Sequence, residues 1–323
     1  MTIEQHAAPL ARVVRNGVVE SVHLGHLVGL DGSGAAVVRE GAPEVTFFPR
    51  SSLKPVQTAA MLRAGLDLDG ELLALATASH SGEPAHRAGA ARILSRAGLG
   101  PDALQNTPDL PLDPDAAAAW RAAGSSPSSL AQNCSGKHAA MLATCVANGW
   151  DTATYRDPGH PLQQAIRAHV EALTGDVVEH VAVDGCGAPL FSCTVTGLAR
   201  AFAAIAVASP DTPEGRVAAA IRANPWWLSG TNRGVIRLME AVPGLIAKNG
   251  ADGVFAAALP DGRALALKIL DGSARPFPPL VAATLTALGA GSPELAHVGR
   301  VVVRGHGAAV GAVESSIGSS AGV

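Results

Sequence analysis

Phe48-Pro49-Arg50-Ser51-Ser52-Leu53-Lys54-Pro55 is the stretch on which the fold turns. A strand-like region gives way here to a helical one, and a serine precedes a lysine by three positions, a step that puts both side chains on one helix face. With Ser51 at the helix N-terminus and Lys54 buried one turn on, desolvation lowers the lysine pKa and its neutral amine can take the serine proton. The same spacing also suits a helix cap followed by a surface cation. Composition bears on the choice. Of 24 cationic side chains only four are lysines, Lys54, Lys137, Lys248 and Lys268. Arginine fills nearly every position where charge alone is needed, so a retained lysine is a candidate for work that requires an amine able to lose its proton.

Outward from this stretch, strand signals gather at both ends of the chain. Ala11 to Val14 and Val18 to His23 flank the hairpin turn Arg15-Asn16-Gly17, and Leu27 to Leu30 and Ala35 to Val38 follow as a meander. Gly253 to Leu259 and Ala264 to Leu270 flank Pro260-Asp261-Gly262-Arg263, and Val301 to Arg304 is a further β-branched run. The middle reads as helices over 55–64, 84–96, 137–147, 161–173, 194–208 and 214–223, interrupted by one buried strand, Val178 to Val183. The expectation is one catalytic domain over residues 1–323, with its sheet drawn mainly from 8–50 and 250–315 and its helical part from 51–245.

Three further motifs carry chemistry. Ala247-Lys248-Asn249-Gly250 is a Lys-x-Gly sequence just before the terminal strand pair. A Ser-x-x-Lys after an early strand and a Lys-x-Gly near a late one resemble the penicillin-recognising serine enzymes, in which a sheet from both termini packs against a central helical block with the active site at the seam. That likeness implies an α/β fold, an αβα sandwich with a mostly antiparallel sheet, of the serine β-lactamase and glutaminase kind. Thr77-Ala78-Ser79-His80-Ser81-Gly82-Glu83-Pro84 packs hydroxyls, an imidazole and a carboxylate into a turn that opens a helix. Ser81 suits the helix cap, and Ser79 is the candidate for chemistry. Asn133-Cys134-Ser135-Gly136-Lys137-His138 and Asp184-Gly185-Cys186-Gly187-Ala188-Pro189 each set a cysteine in a tight turn. Such turns can bring thiolates together around zinc, and a cysteine can equally be a small buried hydrophobe. Cys145 and Cys193 read as core.

Together these motifs resemble the L-asparaginase II family, the Ser-Lys, zinc-containing class. The likeness runs from Val14-Arg15-Asn16-Gly17-Val18-Val19-Glu20-Ser21-Val22-His23 through the Ser51, Ser79 and two cysteine motifs to Ala247-Lys248-Asn249-Gly250-Ala251-Asp252-Gly253-Val254. It implies two serine-lysine pairs, Ser51 with Lys54 and Ser79 with Lys248, with Ser51 the nucleophile, Lys54 its base and the second pair a proton relay. It also implies zinc held by Cys134, Lys137 and Cys186, with water completing the shell. Asp184 would meet the substrate amine, with His80 also on the substrate side. Arg50 is either a carboxylate clamp or a loop arginine. His138 is either a support for the metal site or helix surface. Asn249 and Asp252 depart from the Thr and Glu of the family pattern, and Asn224-Pro225 stands where His-Pro is expected.

The implied activity is hydrolysis of L-asparagine to L-aspartate and ammonia through a serine ester, in a homodimer that needs no organic cofactor. Glutaminase is a near rival, and a penicillin-binding or β-lactamase-like hydrolase a further one, although the chain lacks Ser-Asp-Asn and has one tyrosine, Tyr155. A rival of another class is a non-catalytic zinc or amino-acid binding protein. A net charge of −3 without a basic cluster argues against nucleic acid, and no long apolar run argues for a membrane span. Four cysteines and no apolar leader-like run point to the cytoplasm.

Overall fold

A computed structural model describes residues 2–318. Strand β1 (Ala8–Arg15) turns at Asn16-Gly17, both with positive φ, into β2 (Val18–Leu30), followed by β3 (Ala36–Glu40) and the short β4 (Thr46–Phe47). A 3-10 turn over Arg50–Leu53 then runs directly into α1 (Lys54–Arg63). The helical middle comprises α2 (Gly70–Ala76), α3 (Pro84–Arg96), α4 (Pro114–Ala122), α5 (Ser135–Asn148) and α6 (Pro161–Thr174). Three short strands follow, β5 (Val181–Val183), β6 (Pro189–Phe191) and β7 (Cys193–Thr194), and then α7 (Val195–Val207), α8 (Pro213–Ala223), α9 (Pro225–Ser229) and α10 (Gly234–Ala241). The chain returns to the sheet with β8 (Ile246–Gly250), β9 (Val254–Ala258) and β10 (Ala264–Ile269), crosses it with α11 (Phe277–Ala287) and α12 (Pro293–Val298), and closes with β11 (Val301–Gly305) and β12 (Ala308–Ser315).

The main sheet is antiparallel and ordered β11-β12-β1-β2-β10-β9-β8, so both ends of the chain build it. At 13 residues β2 serves three partners: β1 along its first half, and β3 and β10 on opposite edges of its second. Nearly every residue of β9 and β10 is buried, which requires cover on both faces. Helix α7 packs against β2, β9 and β10, and α11 against β1, β10 and β12, with Phe255 and Phe277 in ring contact at 5.4 Å. Thr194 caps α7 by accepting from Gly197 N–H, and Leu198, Phe202 and Ile205 are wholly buried, as a helix between a sheet and other helices demands. The result is the α/β sandwich expected from the motif order.

Two expectations give way. The stretches over 18–23 and 27–30 are one strand, because the β1 and β10 ladders meet at Gly25 and leave no gap at which β2 could break. The buried strand over 178–183 is not found. Val178 is buried, but β5 covers only Val181–Val183, pairs with β6 alone and leaves Val183 77% exposed.

Candidate active site

Construction of the site begins with the turn before α1. Arg50 has φ +51°, a left-handed conformation uncommon for arginine, and with it the chain bends so that Ser52 Oγ donates to the Lys248 carbonyl in β8 at 3.1 Å. Gly250 makes this possible. A Cβ there would stand 2.8 Å from the Pro49 carbonyl oxygen and 3.0 Å from Ser52 Oγ, so the glycine of Lys-x-Gly lets the turn lie against the edge strand. The turn that leads into α1 is thereby locked against strand β8, with Lys54 and Lys248 facing a common interior.

Both amines converge on Ser79. Lys54 Nζ donates to Ser79 Oγ at 3.1 Å, to the Ala78 carbonyl and to Cys134 Sγ at 3.2 Å, while Lys248 Nζ lies 2.9 Å from the same Oγ and 2.7 Å from the Asn249 carbonyl oxygen. All three side chains are buried. Burial holds the Lys248 amine well below the ordinary lysine range, and the neighbouring Lys54 charge adds to the effect. A neutral Lys248 amine offers a lone pair to the Ser79 hydroxyl, whose oxygen is polarised from the other side by Lys54. Of the two expected pairs, Ser79 and Lys248 are brought together, and the Lys54 amine joins them instead of contacting Ser51. Ser51, half-buried on the preceding turn, makes no side-chain hydrogen bond among the described residues, because the Lys54 amine is already engaged by three acceptors.

Beside Lys54 lies the cysteine cluster. Lys137 Nζ is 3.3 Å from Cys186 Sγ, and the Cys134 thiol donates to Asn133 Oδ1 at 3.0 Å. The neighbouring Cys134 thiol and the Lys137 charge outweigh burial and bring the Cys186 thiol down to about 5, while Cys186 and burial push Cys134 up to about 12. Burial alone would lower the Lys137 amine, but the Cys186 and Cys134 sulfurs and Asp184 raise it. Among the described residues no group of three or more His, Cys, Asp or Glu side chains could hold a metal ion. A site here depends on the lysine as third donor. Two sulfurs and a nitrogen suit zinc, provided that Lys137 gives up its proton on coordination.

Asp184 stands at the rim of this cluster. Burial would raise its carboxyl, but Lys137 and the Arg50 hydrogen bond hold it below the usual range. Its Oδ1 accepts from Arg50 Nε at 2.8 Å and from Gly185 N–H at 2.9 Å. Arg50 also pairs with the Asp252 carboxylate. A cavity of about 780 Å³ opens beyond Arg50 and Asp252, past Phe48, His180 and Lys268, and neither Ser51, Ser79 nor Lys54 lines it.

Two of the histidines named from the sequence are buried within the fold. His80 is fully buried, its Nδ1 accepting from Gly82 N–H and its Nε2 lying 2.9 Å from Ser135 Oγ, so both ring nitrogens are used within the fold rather than turned to a substrate. Burial, with the charges of His86 and Lys54, holds it well below the usual histidine range. His138 is fully buried as well, not helix surface, with Nδ1 2.7 Å from the Tyr155 hydroxyl. A latch escaped the sequence reading: Glu83 accepts from Ser81 Oγ at 2.6 Å and from Thr231 N–H and Oγ1 at 2.9 and 3.0 Å, tying the loop after α9 to the Ser79 segment. A separation of 148 residues leaves it no local signal.

The family model described as L-asparaginase II matches residues 11–315. No curated relative matches the chain. Among solved structures it is similar to a β-lactamase from Mycobacterium bovis, at 14% identity over 77% of this chain and 88% of that one, with a TM-score of 0.42. It is also similar to Mglu in its native form, at 14% identity and a TM-score of 0.40, covering 76% of this chain and 58% of Mglu. EstCE1, a hydrolase with promiscuous acyltransferase activity, has 12% identity and a TM-score of 0.40, over 88% of this chain and 94% of its own. No helix among the described residues is long and apolar enough to cross a membrane.

Proposed function

The chain belongs to the L-asparaginase II family, and from that premise we propose that it hydrolyses the side-chain amide of L-asparagine to L-aspartate and ammonia through an ester on Ser51. Membership supports an amide hydrolase. The observation that carries the mechanism is the meeting of two buried lysine amines at one serine hydroxyl, 3.1 and 2.9 Å from Ser79 Oγ. Burying two amines so close works against the stability of the fold, and the arrangement serves to move a proton.

The row Lys54 Nζ, Ser79 Oγ, Lys248 Nζ passes a proton from Lys54 through the Ser79 hydroxyl to the neutral Lys248 amine. Lys54, relieved of its proton and one turn from Ser51, accepts the Ser51 proton as Oγ attacks the amide carbon. The tetrahedral intermediate collapses as Lys54 returns that proton to nitrogen, the C–N bond breaks and ammonia leaves. Water then attacks the ester, giving its proton to the same amine, and the Ser51 oxygen departs with a proton to restore the enzyme. Asp184, held ionised, receives the substrate amine. Cys134, Lys137 and Cys186 are proposed to hold zinc, which when bound supplies a fixed positive charge that orders the wall of the pocket next to Lys54.

Ser79 as nucleophile is the second reading, favoured by its direct contact with both amines. Its near-complete burial leaves less room for a substrate carbon than Ser51 has, and for that reason Ser51 is preferred. The test is ammonia release from L-asparagine and L-glutamine by the wild type, Ser51→Ala and Ser79→Ala, with zinc content measured on each sample. Loss of activity in a folded Ser51→Ala protein supports the reading. A folded, zinc-replete wild type that releases no ammonia from either amide overturns it in favour of a binding protein or a peptidase. Glutamine differs by one methylene, a discrimination of about 1–3 kcal/mol, so some glutaminase activity is expected beside the main one.

A further inference from the structure

A substrate carrying a carboxylate needs a cation to receive it, and the cation nearest Ser51 in sequence is already taken. Arg50 gives its Nε to Asp184 and its Nη1 to Asp252, so two edges of its guanidinium are occupied by acids. Arg233 is the opposite case. It is partly exposed, and its side chain has no hydrogen-bond or ion-pair partner among the described residues. With Asn232 and Asn249 it lines a cavity of about 230 Å³, over an apolar floor that includes Leu238, Phe255 and Phe277.

That cavity belongs to the neighbourhood of the two amines. Asn249 follows Lys248 in β8, and its carbonyl accepts from the Lys248 amine. On the other side, Ser79 N–H donates to the Leu228 carbonyl at 3.2 Å and Ser81 N–H to the Ser229 carbonyl at 2.8 Å, and the Glu83 latch grips Thr231 two residues before Arg233. The loop that presents Arg233 is thus fastened to the segment that presents Ser79. The Arg233 charge is close enough to help depress the Lys248 amine. A free guanidinium flanked by two carboxamides, above apolar walls, suits the carboxylate of a small ligand with some apolar surface.

We propose that Arg233, assisted by Asn232 and Asn249, binds a carboxylate of the amide substrate. This deepens the amide-hydrolase reading and rests on it. The carboxylate has two sources: the α-carboxylate of the aspartyl part, or that of an amino acid leaving on the amide nitrogen.

The experiment measures kcat and KM of wild type, Arg233→Ala and Arg233→Lys on L-asparagine, on β-alaninamide, which lacks the α-carboxylate, and on β-aspartyl-leucine. L-Aspartate affinity is measured by calorimetry on the same proteins. Arg233→Ala should lose about tenfold or more in kcat/KM on a carboxylate-bearing substrate, chiefly through KM, with a much smaller loss on β-alaninamide and partial recovery in Arg233→Lys. A loss on both L-asparagine and β-aspartyl-leucine assigns the α-carboxylate, and a loss on β-aspartyl-leucine alone assigns the leaving amino acid. An equal loss on all three, or none on any, overturns the proposal. A folded wild type that hydrolyses none of them sinks the amide-hydrolase reading. In that event unchanged L-aspartate affinity in Arg233→Ala overturns the subsite too, and affinity weakened by about tenfold sustains a carboxylate site in a binding protein.

Discussion

At Ser79 the interior holds two amines where packing alone would place apolar groups, and the consequences can be measured on one side chain. Lys248→Met removes a buried amine while keeping comparable length and volume. It should lower kcat/KM by about 10²-fold or more, since a proton-transfer group is lost, and raise stability by about 1 kcal/mol, since a desolvated amine is replaced by a thioether. The pH dependence follows from the depressed amine. The unfolded chain keeps this proton up to about pH 10.4, while the folded protein releases it at lower pH. The destabilisation is therefore complete below the folded pKa and fades as pH rises towards the unfolded value. Melting curves of wild type and Lys248→Met should diverge most at low pH and converge near pH 10. A gap independent of pH would show that the amine is not the cause. Three of the four lysines were legible at this scale: Lys54, Lys137 and Lys248 are nearly inaccessible, as the scarcity of lysine beside arginine suggests, while Lys268 is only partly buried. Their partners were not. A three-residue spacing says which face Lys54 occupies, but its long side chain passes Ser51 and ends at Ala78, Ser79 and Cys134, positions that only the packing of α1 against the Ser79 and Cys134 turns brings within reach.

At the scale of elements, the contact between the 3-10 turn and β8 fixes how far apart the two amines stand. Gly250→Ala tests this contact. Its Cβ would press on the Pro49 carbonyl and Ser52 Oγ, and relief requires the turn to move away from the strand. The expected cost is about 1–3 kcal/mol of stability, with kcat reduced more than KM is raised, as read from denaturant melts and steady-state kinetics. Unchanged kcat would mean that the turn can shift without disturbing the lysines. A second strut lies at the far end of α1, where Arg63 Nε and Nη2 donate to the two oxygens of the buried Glu214 in α8 at 2.9 and 3.0 Å, with His169 of α6 beside them. Glu214→Ala should cost about 1.5–3 kcal/mol in a melt and leave the acyl-transfer chemistry intact at low temperature. Helices α3 and α6, with proline starts and apolar periodicity, were readable to within a residue. Helices α2 and α10, short and without a proline start, were not read, and neither were α4, α9, α11 and α12 despite theirs; β5 was misjudged because Val178, Val181 and Val183 read as core when only Val178 is buried.

At the scale of the whole molecule, the turn before α1 brings the helical block against β8 of the sheet built from both chain ends, and Ser51, Lys54, Ser79, Lys248 and the cysteine cluster gather beside that contact. The two cysteine turns, 52 positions apart in the chain, are joined there by Lys137, whose amine lies 3.3 Å from Cys186 Sγ. Cys186→Ser should purify with little or no zinc by elemental analysis and melt at lower temperature than the wild type in zinc-containing buffer, the gap closing when both are stripped with a chelator. Equal zinc in both would place the metal elsewhere or remove it from the account. The architecture was legible because the order of strand-rich and helix-rich segments survives without knowledge of any contact. The site was legible in its residues and not in its connections, because those span 25, 80 and 169 positions between the bonded groups. The measurement that bears most directly on the central claim is peptide mapping by mass spectrometry of protein acid-quenched during turnover of L-asparagine, in wild type and in Lys248→Met. The account predicts an aspartyl ester on the peptide containing Ser51, absent from Ser51→Ala. Ammonia release from L-asparagine with no ester on any serine, or with the ester on Ser79 alone, would contradict it.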